Sequence, residues 1–168
     1  LFRSTTTALN AADTGSLNIL LCDPPRSGEP WPLSPATGDE GAAVTELDHV
    51  VVQTVNCDRA LAIWGAKLGL DLRLDRSNES WGVRQLFFRA GSAVVEMAAS
   101  LKKPAADGPD SFGGLAWRVA DAEAVQARLA AAGFNVSEVR IGRKPGTKVF
   151  TVRDAAAGVP TILIQQNA

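Results

Sequence analysis

The chain has 168 residues, of which 46% are hydrophobic and 21% charged, and this balance excludes a disordered or collagen-like polypeptide. Its formal net charge of -1 leaves no basic surplus for neutralising phosphates, so we expect no nucleic-acid partner. No apolar run approaches the roughly 18 residues that a membrane-spanning helix needs, so we expect no membrane partner either.

The N-terminal segment, residues 1–22, indicates a hairpin. Residues 5–9 alternate and are rich in β-branched side chains, and residues 17–22 form an apolar run, which predicts two strands, the second mostly buried. Residues 23–45 are rich in proline, glycine and serine and predict an extended linker. Because residues 5–22 resemble the last predicted hairpin, residues 150–165, we interpret residues 1–22 as the terminal hairpin of a module whose front part lies upstream.

Residues 46–100 predict a complete βαβββ module. Apolar residues recur at helical spacing after the first strand, and Gly69 stands where a helix ends. Alternating apolar and polar residues then predict three more strands. The elements predicted for this module are a strand at 47–53, a helix at 59–68 and strands at 70–74, 83–89 and 93–98.

A second βαβββ module is predicted at residues 113–168, after a linker at 101–112. Corresponding points keep a nearly constant offset: Gly114 follows His49 by 65 residues and Gly133 follows Gly69 by 64. This internal similarity predicts a tandem repeat. Its predicted elements are a strand at 114–119, a helix at 122–132 and strands at 136–141, 148–153 and 160–165.

Cysteine and histidine are scarce. Cys22 and Cys57 form neither a disulfide framework nor a zinc knuckle, and they are typical of reduced residues in a cytoplasmic protein. His49 is the only histidine, which excludes a metal site built from several histidines of one chain.

Parts of both modules resemble a known superfamily. Residues 47–52 (LDHVVV), 58–64 (DRALAIW) and 68–70 (LGL) resemble the opening of a vicinal oxygen chelate unit. That superfamily includes glyoxalase I, bleomycin-resistance proteins and extradiol dioxygenases. Residues 114–119 (GLAWRV) and 131–134 (AAGF) resemble the opening of the partner unit. The resemblance implies an α+β fold in which paired βαβββ modules place curved mixed β-sheets around a cleft.

The resemblance also implies where a metal would bind. Metal-dependent members take one ligand from the first strand and one from the last strand of each module. In this chain those positions hold His49 and Glu96 in the first module, and Gly114 with either Ile162 or Leu163 in the second. His49 and Glu96 suit a divalent Zn, Fe, Mn or Ni ion, whereas the second module supplies no ligand.

Three interpretations of His49 and Glu96 stay open. They are acid–base groups or substrate contacts of a metal-free site, or they have a structural role only. In the third interpretation a metal site is completed by the upstream module or by a second copy of the chain, and a homodimer is among our expectations.

Four further side chains are candidates for substrate binding. Alternation places Gln53 and Arg118 on the strand face of His49, where Arg118 either clamps a substrate carboxylate or phosphate or is solvated at a strand end. Trp81, with Gln85 nearby, either stacks on a flat ligand or packs on a neighbouring loop. The basic segment 140–148 closes over an anionic ligand or forms a solvated hairpin loop.

Two functions follow from the resemblance. The first is a glyoxalase-like lyase, isomerase or dioxygenase that acts on a small oxygenated or carboxylate-bearing molecule, with His49 and Glu96 as catalytic residues or metal ligands. The second is a metal-free protein of the bleomycin-resistance type that binds and sequesters a small molecule. In both cases the partner is a small-molecule ligand.

Overall fold

The computed structural model describes residues 6–23, 42–155 and 158–166. Most of the predicted linker at 23–45 therefore lies outside the described residues, as does the start of the first predicted strand at residue 5. Among the described residues, no helix combines the length and the apolar character needed to cross a bilayer. The expected cytoplasmic location and homodimer stay predictions.

The described residues form ten strands, two longer helices and a short 3₁₀ helix at Ala11–Asp13. The first helix begins as α-helix and continues as a π-helical segment. The strands are β1 (Thr6–Ala8), β2 (Leu20–Cys22), β3 (Val44–Gln53), β4 (Asp71–Asn78), β5 (Val83–Ala90), β6 (Ala93–Ser100), β7 (Ser111–Val119), β8 (Arg140–Ile141), β9 (Thr147–Val152) and β10 (Thr161–Gln166), and the helices are α1 (Cys57–Ala60, continuing over Leu61–Lys67) and α2 (Ala122–Ala131).

Eight of these strands form one mixed sheet in the order β4-β5-β6-β3-β7-β10-β9-β8. In each half the last strand lies beside the first and parallel to it, β6 beside β3 and β10 beside β7. At the centre, β3 and β7 pair antiparallel and join the halves. The predicted α+β fold of paired βαβββ modules is confirmed, whereas the module boundaries and the tandem duplication stay predictions.

Both helices begin at a side chain that caps them. The Asn56 side chain accepts hydrogen bonds from the backbone N–H groups of Asp58 and Arg59, and the Asp121 side chain accepts one from Ala124. Such caps satisfy backbone donors that have no partner within the helix. Gly69, with a φ of 70°, ends the first helix in the left-handed conformation that glycine adopts without strain.

Two apolar cores lie between the helices and the sheet. In the first half, Trp64 of the helix packs with Phe88 of β5. In the second half, Val125 of α2 packs with Phe150 of β9 and Leu163 of β10. Because side chains alternate along a strand, these core residues leave their neighbours in sequence on the opposite, helix-free face of the sheet. That face carries the site.

Two predicted strands were partly wrong. The run 17–22 was expected to be mostly buried, but only β2 is a strand, and its Leu20 and Leu21 are 61% and 50% exposed because β1 and β2 form a separate two-stranded sheet. The strand expected at 136–141 is reduced to β8. Near the start of the expected strand, Ser137 Oγ accepts a hydrogen bond from the backbone N–H of Thr151 at 2.9 Å. A side-chain hydroxyl thus takes the place of a backbone carbonyl in the strand pairing.

Gly114 holds the junction between β7 and β10. It has a φ of 147°, and a Cβ there would lie 2.5 Å from the carbonyl oxygen of Pro160. We expect Gly114→Ala to lower the free energy of unfolding by about 2–3 kcal/mol, measured by urea denaturation. Gly91→Ala is the control, since Gly91 has a φ of 65° but open space around it, and should lose only about 1 kcal/mol. Equal losses would contradict the steric explanation.

Candidate functional site

A cavity of about 690 Å³ lies on the helix-free face of the sheet. Strands from both halves line it, with His49 of β3, Gln85 of β5 and Glu96 of β6 on one side and Val149 of β9 and Ile162 of β10 on the other. The sheet therefore curves around a cleft, as the resemblance implied.

A β-bulge brings Asp48 to the same face as His49. The pairing of β3 with β7 shifts register between Leu47 and His49, which places Asp48 in the irregular position. Successive residues of a regular strand point to opposite faces, but here Asp48 and His49 both line the cavity. The Nδ1 atom of His49 lies 2.7 Å from Asp48 Oδ1.

The Asp48 carboxylate is held in its ionised form. Its hydrogen bond with His49 and, after that, the one with Arg118 lower the pKa of Asp48 to about 2, although burial acts in the opposite direction. Arg118 Nε donates to Asp48 Oδ2 at 2.6 Å, and Gln166 Nε2 donates to the same oxygen at 3.0 Å. An ionised carboxylate can only accept, so His49 Nδ1 carries a proton and Nε2 is the atom left for chemistry.

This acidity makes the stability pH-dependent. Asp48→Asn is expected to lower the free energy of unfolding by about 2 kcal/mol at neutral pH. Asp48 is more acidic folded than unfolded, because its pKa falls from 3.8 to about 2, so its contribution is complete above about pH 4 and is lost toward pH 2. The difference in unfolding free energy between wild type and Asp48→Asn, measured in urea at a series of pH values, should be constant above pH 5. It should shrink below pH 4. A difference in unfolding free energy that does not shrink at low pH would contradict this role of Asp48. Asp107→Asn, at an exposed position, is the control.

On its other side, His49 faces Glu96. His49 Nε2 lies 3.6 Å from Glu96 Oε2. The other carboxylate oxygen accepts from Gln85 Nε2 at 2.5 Å, and Arg76 in turn donates to Gln85 Oε1 at 3.1 Å from Nη2. The pair is therefore supported from both ends, by Asp48 behind His49 and by Gln85 behind Glu96.

The opposite wall offers no counterpart to this pair. Glu96 is paired with Val51 in the β3–β6 ladder, and Ile162 is paired with Ala116 in the β7–β10 ladder. Ile162 thus takes the position that corresponds to Glu96 and lines the cavity, while Leu163 belongs to the second core. The register left open between Ile162 and Leu163 is resolved as Ile162.

These residues do not fit a complete metal centre. Within the described ranges, no group of three or more His, Cys, Asp or Glu side chains is placed to hold a metal ion. His49 and Glu96 supply two donors, whereas catalytic sites normally have three protein ligands. The divalent metal therefore stays a prediction.

Of the other four predicted site residues, two line the cavity and two do not. Trp81 and Gln85 line it. Arg118 does not, because its guanidinium is bonded to Asp48 and to Glu46 at 2.7 Å. Gln53, at the end of β3, is exposed and also outside the lining, since a second irregularity after Val51 interrupts the alternation. The substrate-binding roles of these four residues stay predictions.

The polar cavity residues that the sequence analysis missed include Asp48 and Arg76. Asp48 was missed because a bulge is set by the pairing of distant strands and leaves no local signal. Arg76 was missed because one arginine on an alternating strand is ordinarily solvated. Its guanidinium carbon instead lies 5.4 Å from the ring centre of Phe87, which is close enough for a cation–π contact.

Several solved structures share this fold. Methylmalonyl-CoA epimerase from Mycobacterium tuberculosis has a TM-score of 0.60 and 24% identity, over 74% of this chain and 90% of that one. A variant of the Streptomyces coelicolor epimerase in complex with 2-nitronate-propionyl-CoA has a TM-score of 0.60 and 22% identity, over 75% and 100%. A hypothetical protein from Bacillus halodurans C-125 has a TM-score of 0.61 and 21% identity, over 73% and 95%. At these identities the likeness is one of fold.

The family comparison covers the central part of the sequence. No curated protein sequence matches the chain significantly. The family model of the Glyoxalase/Bleomycin resistance protein/Dioxygenase superfamily matches residues 48–151, which include His49, Glu96 and the strands around them. This match spans more than half of the chain, so the protein belongs to the Glyoxalase/Bleomycin resistance protein/Dioxygenase superfamily.

Proposed function

We propose that this protein is an enzyme that moves a proton on a small acyl- or carboxylate-bearing molecule bound in the cleft, in a reaction of the isomerase or lyase type. The observation that carries the proposal is the pairing of His49 with Glu96 on the cavity wall, 3.6 Å apart and each supported by a further side chain. The fold shared with methylmalonyl-CoA epimerases supports the substrate class.

The two groups can divide the work of acid and base. The Glu96 carboxylate removes a proton from the carbon next to the substrate carbonyl, and the electron pair of that C–H bond forms the carbon–carbon double bond of an enolate. Protonated His49 donates a hydrogen bond from Nε2 to the enolate oxygen, and Asp48 stabilises the imidazolium through Nδ1–H. A proton returned to the enolate carbon by Glu96 regenerates the substrate with a hydrogen exchanged from solvent. A proton delivered by water to the opposite face of that carbon gives the isomer, and Glu96 then releases its own proton to solvent.

A second function has an observation of its own. The cavity is large enough for a small organic ligand, and Trp81, Phe87, Ile162 and Ile164 give it aromatic and aliphatic walls. These features favour a protein that binds and sequesters an apolar molecule. In that case His49 and Glu96 only contact the ligand.

Deuterium exchange separates the two functions. We would incubate the protein in D₂O with methylmalonyl-CoA, methylmalonate or 2-oxobutyrate, follow deuterium uptake by mass spectrometry, and measure binding in parallel by calorimetry. Uptake above the buffer rate is the expected result. Binding without uptake supports the sequestering function, and neither binding nor uptake with any of the three contradicts the proposed substrate class.

Chelation tests the part played by metal. Because no group of three or more His, Cys, Asp or Glu side chains among the described residues is placed to hold a metal ion, we expect the exchange rate to be unchanged by excess EDTA. Loss of exchange with EDTA and its recovery with Zn, Fe, Mn or Ni would contradict the metal-free chemistry. Such a result would favour a site completed by other residues.

A further inference from the structure

The cavity carries an excess of positive charge in its lining. Its lining includes Arg76, Arg140, Arg143 and Lys144, together with the carboxylates Asp48 and Glu96. Among the described residues, none of the four cations forms an ion pair with a carboxylate.

The two carboxylates of the lining do not neutralise this charge. Asp48 is bonded to Arg118 at 2.6 Å, and Glu96 is engaged by His49 and Gln85. The protein as a whole has a net charge of -1 and so no general basic surplus, whereas the cavity lining has four cations against two carboxylates. A concave site with charges of one sign attracts ligands of the other sign.

Residues from the two halves of the sheet meet around Trp81 in the cavity lining. Trp81 lies in the turn between β4 and β5, and Arg143 lies in the loop between β8 and β9, with its guanidinium carbon 4.4 Å from the centre of the Trp81 ring. Arg76 approaches the same ring at 6.0 Å. Trp81 nevertheless remains 43% exposed, so the ring and the cations around it are accessible to a ligand.

The loop that carries Arg143 and Lys144 has a defined shape. Thr147 Oγ1 donates to the carbonyl oxygen of Lys144 at 2.6 Å, and the backbone N–H of Gly142 donates to the Thr147 carbonyl at 2.8 Å. A Cβ at Gly142 would collide with Thr147 Oγ1, so this position has room only for glycine. The cations are thus presented by a preordered turn, which lowers the entropy lost on binding.

We infer that Arg76, Arg140, Arg143 and Lys144, here called the cation cluster, bind a substrate group that carries at least two negative charges, a phosphate ester or a pair of carboxylates. A single carboxylate would be matched by one arginine and would leave the other cations facing one another. The inference rests on the proposed function, because it names the class of substrate whose reacting end meets His49 and Glu96.

Calorimetry with simple anions tests the cation cluster. We would titrate the full chain with pyrophosphate, citrate and acetate at low and at moderate sodium chloride. Pyrophosphate or citrate should bind at least tenfold more tightly than acetate, with an affinity that falls as salt rises. If pyrophosphate binds more tightly, the substrate group is a phosphate ester; if citrate does, it is a pair of carboxylates. Equal binding of acetate, or no binding of any of the three, would overturn the inference.

Charge-removing variants locate the binding. Arg143→Gln and Lys144→Gln should each weaken the tighter polyanion by roughly tenfold, the equivalent of about 1.4 kcal/mol. Arg73→Gln is the matched control, because Arg73 is an exposed arginine paired with Asp71 outside the cavity. Circular dichroism should show that all three variants are folded. An equal loss in Arg73→Gln would mean that binding is non-specific and would contradict the assignment.

One variant separates this inference from the proposed function. Glu96→Gln removes a negative charge from the cavity, so it should bind the polyanion at least as tightly as wild type while losing deuterium exchange. Polyanion binding without exchange by wild type would retain the cation cluster and reject the proposed chemistry. Deuterium exchange by wild type without any preference for polyanions over acetate would retain the proposed chemistry and reject the cation cluster.

Discussion

Glu96→Gln is expected to lower the rate of deuterium exchange by roughly 10²- to 10⁴-fold, the usual contribution of a positioned acid–base group. Glutamine has nearly the same shape as glutamate, and its carbonyl oxygen can still accept the hydrogen bond from Gln85 Nε2. The amide cannot take up a proton at neutral pH, so the variant keeps the cavity and loses the base. Initial rates with the substrate that exchanges fastest measure the effect.

Glu138→Gln provides the control for this substitution. Glu138 is exposed and lies outside the cavity lining, so the same change of chemistry there should leave the rate within twofold of wild type. The unfolding free energies of both variants, measured in urea, establish that they are folded. Should Glu96→Gln exchange as fast as wild type, Glu96 is not the base.

Arg59→Met is expected to have the largest effect on stability, a loss of about 3–5 kcal/mol in the free energy of unfolding. Arg59 Nη2 donates to Asp110 Oδ1 at 2.6 Å, and the Asp110 side chain is completely buried. Asp110 Oδ2 has no hydrogen-bond partner among the described residues. Methionine keeps the apolar stem of the side chain but leaves a buried carboxylate without its counter-charge.

Two comparisons isolate the ion pair. Arg73→Met removes an exposed arginine whose partner Asp71 is also exposed, and it should cost less than about 1 kcal/mol. The double variant Arg59→Met with Asp110→Asn removes both charges at nearly constant volume and should be clearly more stable than Arg59→Met alone. A double variant as unstable as Arg59→Met alone would show that packing, rather than charge, explains the loss. Urea denaturation measures all of them.

The elements of the fold were largely predictable because their signals are local. Asp121 caps α2, and Gly69 stands at the end of the first helix as expected from the sequence. The wrong predictions concern residues whose strand pairing or burial is set by contacts with distant parts of the chain. Ser137 replaces a ladder carbonyl with its side chain, and Leu20 stays exposed because its strand pairs outside the main sheet.

The candidate site was only partly predictable, for a related reason. The resemblance identified His49 and Glu96, and the structure places them side by side on the cavity wall. It could not identify Asp48, because strict alternation assigns that residue to the other face and only the bulge against β7 reverses it. The same bulge lets Arg118 bond to Asp48, a contact that no spacing along the chain predicts.

The single histidine offers the most direct test of the acid–base site, since its imidazole signals need no assignment among others. Long-range ¹H–¹⁵N correlation spectra at neutral pH should show a proton on Nδ1 of His49, as its 2.7 Å contact with the ionised Asp48 requires, and an Nε2 shift that changes in Glu96→Gln. A neutral ring protonated only on Nε2, with shifts unaffected by Asp48→Asn and Glu96→Gln, would contradict the site described above.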